Sequence, residues 1–123
     1  MKTFALILTG LIALEHVYFL WMEMFAWETA GKKAFKNVLP DKLFESTKSL
    51  AANQGLYNGF LAAGLIWTFF ITESIWRTYI TLFFLGCITI AGIYGGITAS
   101  RKIVYIQALP ALLAIILILL ANY

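Results

Sequence analysis

The sequence predicts an all-α fold: a bundle of four transmembrane helices, with an amphipathic interfacial segment between the first and the second. Three observations carry this. Of 123 residues, 62% are hydrophobic and only 12% charged, and mean hydropathy is +0.86; a soluble domain averages about 45–50% apolar and about 25% charged. Four apolar runs, Phe4–Trp27, Ala51–Thr72, Thr78–Thr98 and Ile103–Ala121, each come close to the ~20 residues that a helix needs to cross a bilayer. The basic residues lie mostly between those runs. Backbone groups in lipid must be satisfied within their own segment, so runs of this length are expected to be helices. The chain is expected to be one integral membrane domain, 1–123.

The first run opens MKTFALIL, like a signal peptide, but no small-residue cleavage site follows and the run continues past Glu15 and His16. It is expected to be a retained membrane helix. The connection after it, Glu28–Leu50, carries Lys32, Lys33, Lys36, Lys42 and Lys48 among Phe35, Val38, Leu39, Leu43 and Phe44. That mixture suits short helical pieces lying at the membrane surface. The second connection is expected to turn tightly near Glu73–Arg77 with Ser74 as N-cap, and the third near Ala99–Lys102. Pro110 is expected to kink the last helix near Gln107, because proline removes one helix hydrogen bond. Trp21, Trp27, Trp67, Trp76 and Tyr123 stand near run ends, where an aromatic belt is expected. Gly55–Gly59–Ala63 and Gly92–Gly96, with Ala91–Gly95–Ala99 alongside, have the four-residue spacing that lets membrane helices approach closely.

Orientation follows from charge. The first and third connections hold seven basic residues; the other side has Lys2 and Arg77. The positive-inside rule then places both termini outside the cell membrane and the two basic connections in the cytoplasm of a multi-pass protein. The net charge of +3 is spent on topology, so no nucleic-acid partner is expected. A single cysteine, Cys87, leaves no internal disulfide and no CxxC motif.

The polar residues inside the runs point to function, since ionisable groups at membrane depth are costly. The first run carries Glu15, His16 and Glu23. An acid at a helix centre costs about 2.5–3.5 kcal/mol on insertion scales, against a return of about 0.3–0.6 kcal/mol from each Leu, Ile, Phe or Val. Glu15 is therefore expected to hold its proton, or to pair with His16 of a neighbouring helix or subunit. Counting about 1.5 Å per residue from the basic ends, Glu23, Asn53, Gln54, Tyr57, Asn58, Tyr94 and Gln107 fall in one layer. With Glu15 and His16 they form the candidate substrate-binding set. The plainer alternative is a hydrogen-bond network that pins the helices, although such bonds average only about 0.6 kcal/mol between membrane helices. His16 and Glu23 are seven residues apart on one helix, about 10 Å, too far to share one metal ion held at about 2.0–2.2 Å. No metal and no cofactor is expected.

The strings EHVYFLWMEMFAW, GKKAF and ANQGLYNGFLAAGLIW resemble those of a bacterial family of small predicted integral membrane proteins, classed as a domain of unknown function. The resemblance covers nearly the whole chain and implies the four-helix arrangement without lending an activity. A mid-helix glutamate in a chain of this size is also similar to small multidrug resistance transporters, where it exchanges protons for cationic substrate. The long basic first connection and the NQGLYNG string depart from that family.

Three functions follow as expectations. The first is a small-molecule or proton-coupled transporter acting as a homo-oligomer, since four short helices enclose little volume and a homodimer would be needed. The second is a membrane-embedded enzyme acting on a lipid or isoprenoid, with His16 and Glu23 as the candidate catalytic acid–base pair and the basic residues near the headgroup. The third is a non-catalytic assembly subunit.

Overall fold

The computed structural model describes residues 2–122, with side chains to Ala121; Tyr123, expected in the aromatic belt, lies outside the described residues. Among the described residues the chain is helical and has no strand. It has five α-helices: α1 (Lys2–Phe25), α2 (Lys32–Ala34), α3 (Lys48–Thr68), α4 (Ser74–Thr98) and α5 (Leu109–Asn122). Three stretches are long and apolar enough to cross a membrane: α1, α4, and Val104–Ala121. The fourth run expected to span corresponds to α3, which is 21 residues long but carries Asn53, Gln54 and Asn58.

The chain divides into two compact units, Glu15–Phe60 and the residues before and after it. In the discontinuous unit, one core draws on four helices. Ala5, Ile12 and Ala13 of α1 are buried with Leu65 of α3, Leu85 and Ile88 of α4, and Ala111, Ala114 and Ile118 of α5. The helices approach at glycines. A Cβ on Gly92 would stand 2.6 Å from the backbone nitrogen of Ala108, and one on Gly95 would stand 3.0 Å from Ile103. Gly96 faces Val104 in the same way, and the Phe84 ring lies over Gly64. The segment opposite Gly92 and Gly96 is a π-helical turn, Val104–Ala108, closed by the Leu109 amide donating to the Val104 carbonyl. Near Gln107, where a kink is expected, the chain forms this π-helical turn.

Threonine hydroxyls find partners inside their own helices. Those of Thr9, Thr78, Thr81, Thr89 and Thr98 each donate to the carbonyl four residues back, at 2.7–2.9 Å. The hydroxyl is thereby satisfied without water, which suits an apolar surround.

Two expected boundaries need correction. The second apolar run continues to Thr72, but α3 stops at Thr68, and the amides of Phe69, Phe70 and Ile71 donate three residues back to Ile66, Trp67 and Thr68. Apolar composition does not distinguish a last helical turn from a tight turn, so Phe69–Ile71 read as span. The N-cap of α4 is Glu73 and not Ser74, with no side-chain capping bond; Ser74 is already helical, so Arg77 belongs to the helix and not to the turn.

In the unit Glu15–Phe60, the C-terminal part of α1 meets the N-terminal part of α3. A Cβ on Gly55 would stand 2.8 Å from Met24 Cγ, 3.0 Å from Glu23 Cβ and 3.1 Å from the Leu20 carbonyl oxygen; Gly59 faces the Leu20 side chain. Between the helices the chain folds on itself. After Ala26 it forms a π-helical turn, Trp27–Gly31, then α2, and a 3₁₀ turn, Asp41–Leu43, entered through Pro40. Trp27 packs against Phe35 and Phe44, with ring centroids 5.4 Å and 5.1 Å apart, and its indole N–H donates to Thr47 Oγ1 at 3.0 Å. Gly31 lies under the Trp27 ring, and the Lys32 ammonium is 5.8 Å from the centroid of Phe44, within cation–π range.

A paired substitution tests the packing. Gly92→Ala is expected to lower stability in detergent by about 1–3 kcal/mol, because its methyl meets backbone. Gly86 has nothing within 4 Å of a built Cβ. Gly86→Ala is therefore expected to raise stability by up to about 1 kcal/mol through helix propensity. Thermal unfolding of the purified variants reads both.

Candidate functional site

The site is built on α1, which buries one stripe. Ala5, Thr9, Ile12, His16 and Glu23 are buried, at spacings of four, three, four and seven, the repeat of a single helix face. The stripe carries a histidine and an acid at positions that would otherwise be Leu or Ala. His16 is fully enclosed, with its ring edge-on to Phe19 at 5.3 Å between centroids. Glu23 is 5% exposed. Opposite Glu23 stands α3, held close by Gly55; Asn58, three residues beyond Gly55, comes onto the same face of that helix. Its side-chain amide donates to Glu23 Oε1.

The nature of this partner bears on the chemistry. A carboxyl group keeps an acceptor oxygen whether or not it holds a proton, so an amide donor serves both states. A lysine or arginine would favour the ionised state alone. Among the described residues, no lysine or arginine pairs with Glu23; the ion pair present joins Lys48 to Glu28 at 3.7 Å. The arrangement can hold a carboxyl group in place while its proton comes and goes.

The other expected site residues are distributed as follows. Asn53 and Gln54 are exposed, and Tyr57 is 58% exposed. Glu15 is half-buried, one residue before the stripe. Tyr94 of α4 is 69% exposed, and Gln107 is half-buried within the π-helical turn. Thus Glu23 and Asn58 are brought into contact, while Asn53, Gln54, Tyr57 and Tyr94 are left at the surface of the chain. Trp27 and Thr47 were not expected to meet. The signal for their pairing is faint: an indole donor just after a helix end, and a hydroxyl just before the next helix.

Residues 10–119 match a family described as protein of unknown function (DUF1304). The chain belongs to this family. It is 32% identical over 117 residues to the uncharacterized protein YpaA of Lactococcus lactis subsp. lactis (strain IL1403), an alignment covering 94% of this chain and 97% of that one. No solved structure matches. The matched range includes Glu15, His16, Glu23 and every candidate on α3 and α4.

Substitution separates the roles of the pair. Asn58→Ala leaves a buried carboxyl group without its donor and is expected to cost about 1–3 kcal/mol. Glu23→Gln keeps an acceptor oxygen for Asn58 and is expected to change stability by less than about 1 kcal/mol. Denaturant unfolding in detergent measures both, and equal losses would refute the assignment of Asn58 as donor.

Proposed function

We propose that this chain is a multi-pass cell-membrane protein that moves a small cationic solute in exchange for protons, acting as a homodimer. The observation that carries the reading is the buried Glu23 carboxyl group of α1 held by a neutral amide, that of Asn58 in α3. A carboxylate in such a surround binds either a proton or a cation, and the two then compete for one site. Three apolar stretches long enough to span support the membrane setting.

The homodimer is supported by α3. In a single copy, Asn53, Gln54 and Tyr57 would face lipid. Polar groups exposed to hydrocarbon without partners are costly, and a second copy supplies partners by apposing the same helix. The polar face also accounts for α3 being less apolar than α1 and α4. Both termini are proposed to lie outside, with the basic connections, including Lys32, Lys33, Lys36, Arg101 and Lys102, in the cytoplasm.

Two measurements test these points. In proteoliposomes, an inward-acid pH gradient is expected to drive accumulation of tetraphenylphosphonium, and Glu23→Gln to abolish it; transport by the glutamine variant at the wild-type rate sinks the mechanism. For topology, Cys87→Ser carrying a new cysteine at Lys36 is expected to resist a membrane-impermeant maleimide in intact cells, while one at Glu73 is labelled. The reverse pattern inverts the orientation.

A further inference from the structure

Lys2 and Arg77 bear on topology in the sequence, but the fold gives them a second role. They line a cavity of about 310 Å³ in the discontinuous unit. Its walls come from the first turns of α1 (Lys2, Ala5, Leu6, Thr9), the last residue of α3 (Thr68), the first turns of α4 (Ser74, Arg77, Thr78, Thr81) and the end of α5 (Ile118, Ala121). Every contributing element is at a helix end, where the chain would leave an apolar layer. The volume is at the lower end of the range for small-ligand sites, about 300–1,000 Å³.

The lining has a definite hydrogen-bond character. Among the described residues two cations line the cavity, no Asp or Glu does, and neither cation forms an ion pair. Ser74, the first residue of α4, also lines the cavity, and no side chain caps that helix start. These features suit an anion. Four threonines contribute the opposite. The hydroxyls of Thr9, Thr68, Thr78 and Thr81 already donate to the carbonyls of Ala5, Leu65, Ser74 and Arg77, at 2.8, 2.6, 2.9 and 2.7 Å. Their protons are committed, so they offer acceptor oxygens to an occupant. Thr9, Thr68 and Thr81 are each more than nine-tenths buried, so those acceptors are deep in the wall. Leu6 and Ile118 supply an apolar flank.

We propose that this cavity binds a phosphate ester that also carries hydrogen-bond donors, as a phosphoglycerol group does. The phosphate sits between Lys2, Arg77 and the start of α4. The hydroxyl groups of the ester donate to the threonine oxygens. A glycerophospholipid headgroup and the free ester share this chemistry. The lipid source rests on the membrane reading, which the maleimide pattern tests separately.

The experiment uses the full chain in nanodiscs of phosphatidylcholine doped with phosphatidylglycerol, with bound lipid counted by native mass spectrometry. Phosphatidylcholine has the phosphate but no donor, so preferential retention of phosphatidylglycerol is expected. Lys2→Gln with Arg77→Gln is expected to weaken that retention about tenfold, the effect of losing a charge-assisted bond. Thr9→Val with Thr81→Val removes acceptors while keeping both cations, and is expected to narrow the preference for phosphatidylglycerol over phosphatidylcholine. Glycerol 3-phosphate is then titrated against nanodiscs without phosphatidylglycerol. Binding of the free ester that requires Arg77 supports the site with a soluble occupant; phosphatidylglycerol retention without it supports the lipid. If neither binds, or if binding survives Lys2→Gln with Arg77→Gln in a chain whose melting temperature is unchanged, the proposal is overturned.

Discussion

Close approach of helix backbones at glycine is the constraint on which the rest of this structure depends. At Gly55 the neighbouring helix brings a carbonyl oxygen within 3.1 Å of where a Cβ would be, and at Gly92 a backbone nitrogen within 2.6 Å. Side chains can rotate away from a methyl group, but backbone in a helix cannot. The spacing between α1 and α3 in the unit Glu15–Phe60 is therefore set by a missing side chain, and Asn58 reaches Glu23 only because Gly55 lies less than a turn before it. In lipid such packing replaces the hydrophobic driving force that holds soluble helices together.

The second theme is economy with polar groups. Most threonine hydroxyls in the long helices are satisfied by their own backbone, as Thr89 is by Leu85 and Thr98 by Tyr94. Two side-chain hydrogen bonds join residues far apart in the chain: the Glu23 carboxyl with the Asn58 amide, and the Trp27 indole with the Thr47 hydroxyl. The first is suited to a group that changes protonation. The second closes an aromatic cluster that makes the long basic connection a folded piece rather than a loose strap. Phe44, in that connection, is 1% exposed, which its place in a lysine-rich segment conceals.

Helix existence was legible in the sequence; helix ends were less so. Phe69–Ile71 continue the hydropathy of α3 yet form a turn, because their amides reach back three residues and not four. Ser74 has the side chain of an N-cap, but Glu73 occupies that position. At the site, counting residues put Glu23 and Asn58 in one expected polar layer. It could not separate Asn58 from Asn53, Gln54 and Tyr57, which are also polar and stand at similar positions along the run. What separates them is contact with a second helix: the Asn58 amide meets Glu23, while the other three side chains are exposed.

What the amino-acid order settled by itself was local and additive: helical runs, their apolar character, the basic connections and the small residues at four-residue spacing. Each depends on summed transfer energies and on backbone geometry within one segment. The tertiary structure decided which polar atoms meet, that Glu23 has an amide partner, and that Lys2 and Arg77, far apart in sequence, share a threonine-lined cavity. Those outcomes depend on how helix faces are turned toward one another, and rotation about a helix axis is fixed by packing against neighbours, at glycines where no side chain intervenes.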